Sequence, residues 1–262
     1  MIGEVRGAER VVSLADIHGV LPALEAVLAE PDVRSADLIA LCGDLAAGPQ
    51  PRETLDLLRS LGERAVWVRG NAERELAALA RGRDAAIPDA ITPWAAAQLR
   101  EADIALFESL PVSVTLEVGA LGPTVFCHAT PRDDEEVALV DSSIERWTEV
   151  LSTLDSHIRT VVCGHTHMPY ARLVDRRLVV NPGSVGMPYG TGGAHWAVLG
   201  PSLSVQLRRT EFDADAACAR IAAESSYDGA AEWADYYVRA RASDVEALRV
   251  FGPRDGRSVP PA

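Results

Sequence analysis

A chain of 262 residues with 48% apolar side chains is long enough to bury its own core, so the fold does not depend on disulfides or a structural metal. The formal net charge of −13 and a sequence pI near 4.9 exclude a general nucleic-acid surface, which requires a footprint of basic residues. They leave room for a small phosphate compound wherever bound cations reverse the local sign.

Residues 10–80 alternate strand and helix in the βαβ manner. A strand over 10–15 leads through DIHGV into LPALEAVLAE, a helix whose Leu21, Leu24, Val27 and Leu28 share a face and whose Pro22 sits in the first turn. A second strand, 37–42, precedes the helix of PRETLDLLRSLG, with Gly62 at its C-cap. A third, 64–69, enters the helix ERELAALARG. Residues 81–110 are short, Ala-rich and helical, the pattern of a small cap anchored by Trp94 and Phe107. Strands return at 112–118 and 124–127 around the turn GALGP. Residues 130–158 form a polar loop, PRDDEE, and then a helix with Ile144, Trp147, Val150 and Leu151. Asp133 and Asp134 in that loop read as a solvated charge run, or as the lining of an entrance.

The closely spaced strands of 160–210 suit a second sheet. Residues 211–250 are helical and amphipathic, and pack on a main domain of residues 1–210. Their clustered Trp233, Tyr236 and Tyr237 read as core, with base stacking by Trp233 or Tyr237 as the alternative. Residues 251–262 read as a flexible tail. Cys42, Cys127, Cys163 and Cys218 show no C-x-x-C spacing and read as small buried hydrophobes. The charged N-terminus lacks the apolar segment of a signal peptide, and no stretch reaches the length of a membrane span, so a soluble cytoplasmic protein is expected.

Six apolar runs stop at a Gly or a polar cluster: VVSLADIHG, LIALCGD, AVWVRGN, TVFCHA, TVVCGHTH and LVVNPGS. The first five deliver Asp16 and His18, Asp44, Asn71, His128, and His165 with His167. Ligand-type residues at the carboxyl ends of strands converge in one crevice of an α/β protein. Seven oxygen and nitrogen ligands are too many for one metal and about right for two that share a carboxylate. Two divalent cations a few ångströms apart each bind a phosphoryl oxygen and hold a bridging water acidic enough to be hydroxide near neutral pH. D-x-H or GN alone is a weak signal; the strength lies in the order, each element following a strand.

D-x-H, GD, GN, H and GHTH in series resemble the calcineurin-like metallophosphoesterase superfamily over residues 11 to about 186. The closing NPGSVG at 181–186 resembles its small bacterial phosphodiesterase and diadenosine-tetraphosphatase-like branch. The resemblance implies a four-layer αββα sandwich of two mixed sheets flanked by helices. It implies that Asp16, His18 and His167 hold one metal, that Asn71, His128 and His165 hold the other, and that Asp44 bridges them. Asp44, Asn71 and His128 then stand at the reacting centre. Manganese is the first choice of metal, with Fe, Zn²⁺, Ni²⁺ and Co²⁺ suiting the same donors.

The family motif continues GN with a His proposed to protonate the leaving group, whereas this chain reads GNAE, with Ala72 there. Good leaving groups, such as diphosphate anhydrides and aryl esters, should then be favoured. His195 in GGAHW is the unassigned His nearest a site-like loop, with a packing role as its alternative. Arg74 is a candidate phosphate contact or a surface Arg paired with a Glu. Ser184 orients a ligand or a phosphate oxygen, with Gly183 and Gly186 turning N–H groups into the site, unless NPGSVG is simply a tight turn. Asn71 would also face the substrate. The expected activity is hydrolysis of phosphoester or phosphoanhydride bonds in small nucleotide-like substrates by a metal-bridging hydroxide. A phosphomonoesterase or protein phosphatase is the alternative, and a non-catalytic scaffold a further one. Partners reduce to a small phosphate-containing substrate, with oligomeric state open.

Overall fold

Successive residues of the central strands enter two different cores, which is how the sheets stack on each other and still carry helices outside. The computed structural model describes residues 7–83, 87 and 89–257. Strands β1 (Gly7–Ala8), β2 (Val11–Leu14), β3 (Leu38–Cys42) and β4 (Ala65–Val68) precede the cap. β5 (Ser113–Val118), β6 (Gly122–Cys127), β7 (Thr160–Val162), β8 (Tyr170–Val174), β9 (Arg177–Asn181), β10 (Ala194–Leu199) and β11 (Val205–Thr210) follow it. One sheet runs β11-β10-β2-β3-β4 and the other β1-β5-β6-β7-β9-β8.

On β2 and β3, Val11, Leu38, Ala40 and Cys42 face the inter-sheet core with Leu116, Phe126, Val162 and Val180 of the second sheet. Val12, Leu14, Ile39 and Leu41 face the opposite side. There they pack against α1 (Leu21–Leu28), α8 (Ala214–Glu224) and α9 (Ala230–Tyr237) through Leu24, Val27, Ile221 and Ala234. Beyond the second sheet, Val125, Val161 and Val179 cover Trp147 and Val150 of α7 (Ile144–Val150). The result is a four-layer helix–sheet–sheet–helix sandwich. Phe126 is fully buried between the sheets, a position where truncation to Ala costs about 3–5 kcal/mol.

The first sheet is parallel through β2, β3 and β4, with Leu14 opposite Leu41 and Leu41 opposite Trp67. In the second, β6, β7 and β9 are parallel, with Val125 opposite Val161 and Val161 opposite Val179. Parallel register brings the carboxyl ends of these strands, and the loops that follow them, to one edge of the sandwich.

Several boundaries differ from the sequence reading. The strands of 160–210 divide between the sheets: β7, β8 and β9 complete the second, while β10 pairs antiparallel with β2 of the first. The loop after β9 crosses over the edge of the sandwich, where Val185 N–H bonds the carbonyl of Ala15. The helix α3 (Pro51–Arg59) ends before Gly62, which opens a 3-10 turn with φ +59° instead of capping the helix. Helix α4 (Asn71–Ala80) starts two residues early, because the Glu73 carboxylate accepts the Gly70 N–H. The cap contains α5 (Ile91–Gln98) and α6 (Glu101–Ser109); Phe107 is buried, and Trp94 packs its ring on Tyr227.

After α10 (Asp244–Phe251), the segment read as a flexible tail is packed through Arg257. Buried Asp255 accepts the Ser142 hydroxyl at 2.6 Å, and Arg257 reaches Asp141 at 2.7 Å. Residues 258–262 of that tail lie outside the described residues. All four cysteines are free and buried. Among the described residues no helix is long and apolar enough to cross a membrane.

Candidate metal centre

The turns after β2, β3 and β7 are forced into left-handed backbone at five of the seven candidate ligands: Asp16, His18, Asp44, His165 and His167 have φ between +49° and +66°. Such conformations cost of order 1–3 kcal/mol each for residues other than Gly and are stored where the surroundings dictate them. Interlocking loops do so here. Asp16 N–H bonds the Gly43 carbonyl at 3.1 Å and His18 N–H that of Asp44 at 2.9 Å, so the loops after β2 and β3 run as a pair. Gly43, at φ +80°, also passes close to its neighbours: a Cβ there would lie 2.7 Å from His128 Nδ1.

These turns bring two groups of ligand atoms together, each within 4.8 Å. One comprises Asp16, His18, Asp44 and His167, the other Asp44, His128 and His165. Asp44 belongs to both. Its Oδ2 lies 3.6 Å from His18 Nε2 and its Oδ1 3.3 Å from His128 Nε2, so each oxygen faces a different group. Asn71 Oδ1 lies 3.2 Å from His128 Nε2, beside the second group.

The donor set fits divalent cations. Nδ1 of His18, His128 and His167 faces the carbonyls of Ala47, Cys42 and Met187 at 3.1, 2.8 and 2.9 Å. Those carbonyls can only accept, so each ring carries its proton on Nδ1 and turns an Nε2 lone pair inward. His18 Nε2 and His167 Nε2 then stand 3.3 Å apart, and His128 Nε2 stands 3.2 Å from His165 Nδ1. The facing lone pairs of His18 and His167 call for a proton or a cation between them. Asp16 Oδ2 is buried without a hydrogen-bond partner among the described residues, as a carboxylate oxygen reserved for a metal would be.

The electrostatics agree. Burial pushes His167 down to about 3, with His18 adding to it, and pushes His18 and His165 below the usual imidazole range. Burial alone would raise Asp44, but His128, His18 and His165 outweigh it and hold the carboxyl at about 2. Burial raises Asp16 well above the usual range. His18, His165 and His167 are thus disposed to the neutral state a cation needs, whereas Asp44 and Asp16 outweigh burial and hold His128 above the usual imidazole range, so a cation there would displace a proton.

Other sequence candidates fall elsewhere. The Arg74 guanidinium is held by Asp134 at 3.1 Å and Glu135 at 3.0 Å, so its strongest partners are carboxylates of the PRDDEE loop and not a phosphate position. Ser184 donates to the Asp16 carbonyl at 2.6 Å and accepts Met187 N–H at 2.7 Å, which uses its hydroxyl inside the protein. The Gly183 and Gly186 N–H groups bond Asn181 Oδ1 and the Asp16 carbonyl, so neither is turned to a ligand. His195 Nε2 lies 2.9 Å from the Thr191 carbonyl, and the ring lines a different cavity with Tyr189 and Met168. It packs under the NPGS loop. His157 is exposed and paired with Asp155 at 2.6 Å.

Two positioning groups escaped the sequence reading. Fully buried Glu73 accepts the N–H groups of Asp44, Leu45 and Gly70, each at 2.8 Å. Burial, then the charge of Asp44, pushes its carboxyl up to about 7. Its signal was the fourth letter of GNAE, passed over for the missing His. Asn181 donates to the Gly164 carbonyl at 2.7 Å and accepts Gly183 N–H at 2.9 Å, tying β9 to the GHTH turn. Beside His18, Asp44 and Asn71 opens a cavity of about 190 Å³, which Ala72, Trp233 and Tyr237 also line.

Residues 10–201 match the family model described as the calcineurin-like phosphoesterase superfamily domain. No curated protein matches the sequence. The fold is similar to that of a metallophosphoesterase from Sphaerobacter thermophilus, with a TM-score of 0.69 and 24% identity over 87% of this chain and 98% of the other. A hypothetical protein from Pyrococcus horikoshii OT3 gives 0.73 at 18% identity, over 88% and 98% of the two chains. A proposed diadenosine tetraphosphatase gives 0.53 at 19% identity, over 80% and 99%.

Proposed function

Because the chain belongs to the calcineurin-like phosphoesterase superfamily, we propose that it is a metal-dependent hydrolase of phosphoester or phosphoanhydride bonds in small substrates. The observation that carries this reading is Asp44, whose two oxygens face separate groups of buried ligand atoms. Asp16, His18 and His167 would hold one divalent cation, Asn71, His128 and His165 the other, and Asp44 both. A pair of such cations neutralises phosphoryl oxygens and lowers the pKa of water toward neutrality.

The chain's own residues do the rest. Carbonyls of Cys42, Ala47 and Met187 fix the imidazole tautomers, while Glu73 accepts the Asp44 backbone N–H and the Ala72 N–H donates to Asp44 Oδ1. Asn71 keeps its oxygen toward His128 by donating Nδ2–H to Glu75 at 3.3 Å. Ala72 presents only a methyl group to the cavity, so the leaving oxygen gains no proton from that position. Substrates whose leaving groups need little protonation are the ones this site suits. Manganese is the metal we favour, in a cytoplasmic enzyme.

The test is hydrolysis of bis-p-nitrophenyl phosphate and p-nitrophenyl phosphate with Mn²⁺ and with EDTA. Diester turnover that EDTA abolishes supports the reading; monoester preference moves it to a phosphomonoesterase. No metal-dependent turnover, with no divalent metal retained on mass spectrometry, would leave a non-catalytic scaffold.

A further inference from the structure

The cavity beside the candidate ligands is small and asymmetric. At about 190 Å³ it falls below the ~300–1,000 Å³ of sites that enclose a drug-sized ligand, so it suits one compact group beside a phosphate. Its floor is His18, Asp44 and Asn71, and part of its wall is Tyr227, Trp233 and Tyr237. Those three lie outside residues 10–201, so this wall is an addition to the family domain. Trp233 and Tyr237 have ring centroids 4.9 Å apart, and Tyr227 is braced by Trp94 of α5 at 5.4 Å. All four are only partly buried, unlike Trp147 and Phe107 of the cores, and so keep ring surface uncovered.

The charge around the cavity points the same way. The chain contains no lysine, and among the described residues no arginine lines this cavity, whereas Glu75 and Asp89 do. The arginines flanking the Asn71 loop are already engaged: Arg69 and Arg74 both bind Asp134, and Arg74 also binds Glu135. A phosphate group beyond the one at the ligand set would meet carboxylates and aromatic rings, with no arginine among the described lining residues to neutralise it.

We infer that the C-terminal aromatic wall makes this centre selective for esters with a single phosphate and a planar aromatic group, and against polyphosphate chains. The inference rests on reading the ligand set as a phosphoesterase centre, and of the two bond classes proposed above it selects the phosphoester over the phosphoanhydride. A nucleobase and a simple aryl ring share the chemistry that Trp233 and Tyr237 would recognise, a flat π-face against a flat π-face.

Calorimetric binding to the Mn²⁺-loaded full chain tests it, with AMP, phenyl phosphate, ribose 5-phosphate and ATP as probes. AMP should bind about tenfold tighter than ribose 5-phosphate, from one stacked base. ATP should bind no tighter than AMP. Phenyl phosphate matching AMP makes any planar ring sufficient; phenyl phosphate matching ribose 5-phosphate narrows the class to nucleotides. In the double variant Trp233→Leu/Tyr237→Leu the aromatic preference should vanish while ribose 5-phosphate binds as before, which also shows that the variant is folded. If the double variant does not fold, Tyr237→Leu alone should lower the AMP to ribose 5-phosphate ratio. Metal-dependent binding with no aromatic preference, a preference that survives the variants, or ATP binding about tenfold tighter than AMP overturns the inference alone. Binding of every probe that is indifferent to EDTA overturns the reading of the centre and the inference with it.

Discussion

The Glu73 carboxylate accepts the backbone N–H of Asp44 at 2.8 Å, from a helix that begins one strand later in the chain. A residue outside the candidate ligand set thus fixes the one carboxylate that both ligand groups share. The same side chain also holds the N–H groups of Leu45 and Gly70, so the GD and GN loops are anchored to one buried charge. Glu73→Ala strands three buried donors, each costing about 1–3 kcal/mol if unpaired, and thermal unfolding should show a loss of at least about 3 kcal/mol. Glu73→Gln keeps the shape but turns an amide donor toward a backbone donor, and should lose metal affinity before it loses the fold. A Gln variant with unaltered metal content and activity would refute the positioning role.

Gly70 offers a narrower probe. Its φ of −95° suits any residue, but a Cβ would overlap Asp44 Oδ1. Gly70→Ala should therefore leave helix content intact while lowering turnover by about 100-fold or more, the scale set by misplacing a reacting group by about 1 Å. A well-folded variant with near-normal kcat would show that Asp44 need not sit where it does.

Asp44→Asn tests the shared carboxylate itself, and Ala72→His the missing proton donor. The first should abolish turnover and reduce bound metal. The second puts an imidazole in the cavity that Ala72 lines, and general acid catalysis contributes about 10²–10⁴-fold where a leaving group needs a proton. The gain should be largest for alkyl esters and small for nitrophenyl esters. An unchanged dependence on leaving-group pKa would mean that another group already donates.

Protons and metal compete at Asp16. Burial raises this carboxyl well above the usual range, so the metal-free protein keeps a proton there that an exposed Asp would lose; His165 and His167, pushed down by burial, carry none at neutral pH. A cation needs the carboxylate ionised and the imidazoles neutral. Its affinity should rise with pH as Asp16, raised by burial, and His128, raised by Asp44 and Asp16 against its own burial, give up their protons, by up to about tenfold per pH unit for each proton. Calorimetry in two buffers counts the protons released; binding without net proton release near neutral pH would overturn the competition. Asp16→Asn removes the cost of protonating this carboxyl on folding, and the EDTA-treated variant should unfold a few degrees higher near neutral pH, about 2–4 °C per kcal/mol gained, while binding metal poorly.

The candidate ligands, and their convergence, were legible because a strand buried on both faces leaves an abrupt mark where it ends: LIALC stops at Gly43, and the next residue is Asp44. Partner choice was not legible. Arg74, Ser184 and His195 were sensible candidates by type, yet Arg74 and Ser184 are taken by groups distant in sequence, Asp134 and the Asp16 carbonyl, and His195 turns to the Thr191 carbonyl under the NPGS loop. Nor could period-2 patterning assign β10 to the first sheet, since alternation reports a strand and not its neighbour. Trp233 and Tyr237 read as core for the same reason, because helical spacing does not say that α9 reaches the cavity.

The loops after β2, β3 and β4 supply Asp16, His18, Asp44 and Asn71, and those after β6 and β7 supply His128, His165 and His167. Each ligand group therefore draws from both layers of the sandwich. A cation in either would act as a rivet through two plates that otherwise meet by an apolar core and a few loop hydrogen bonds. Loading would tighten the seam along its open edge, and stripping would let that edge gape first while the helical outer skins stay shut. Catalytic competence and the joining of the two plates would then be gained and lost as a single event.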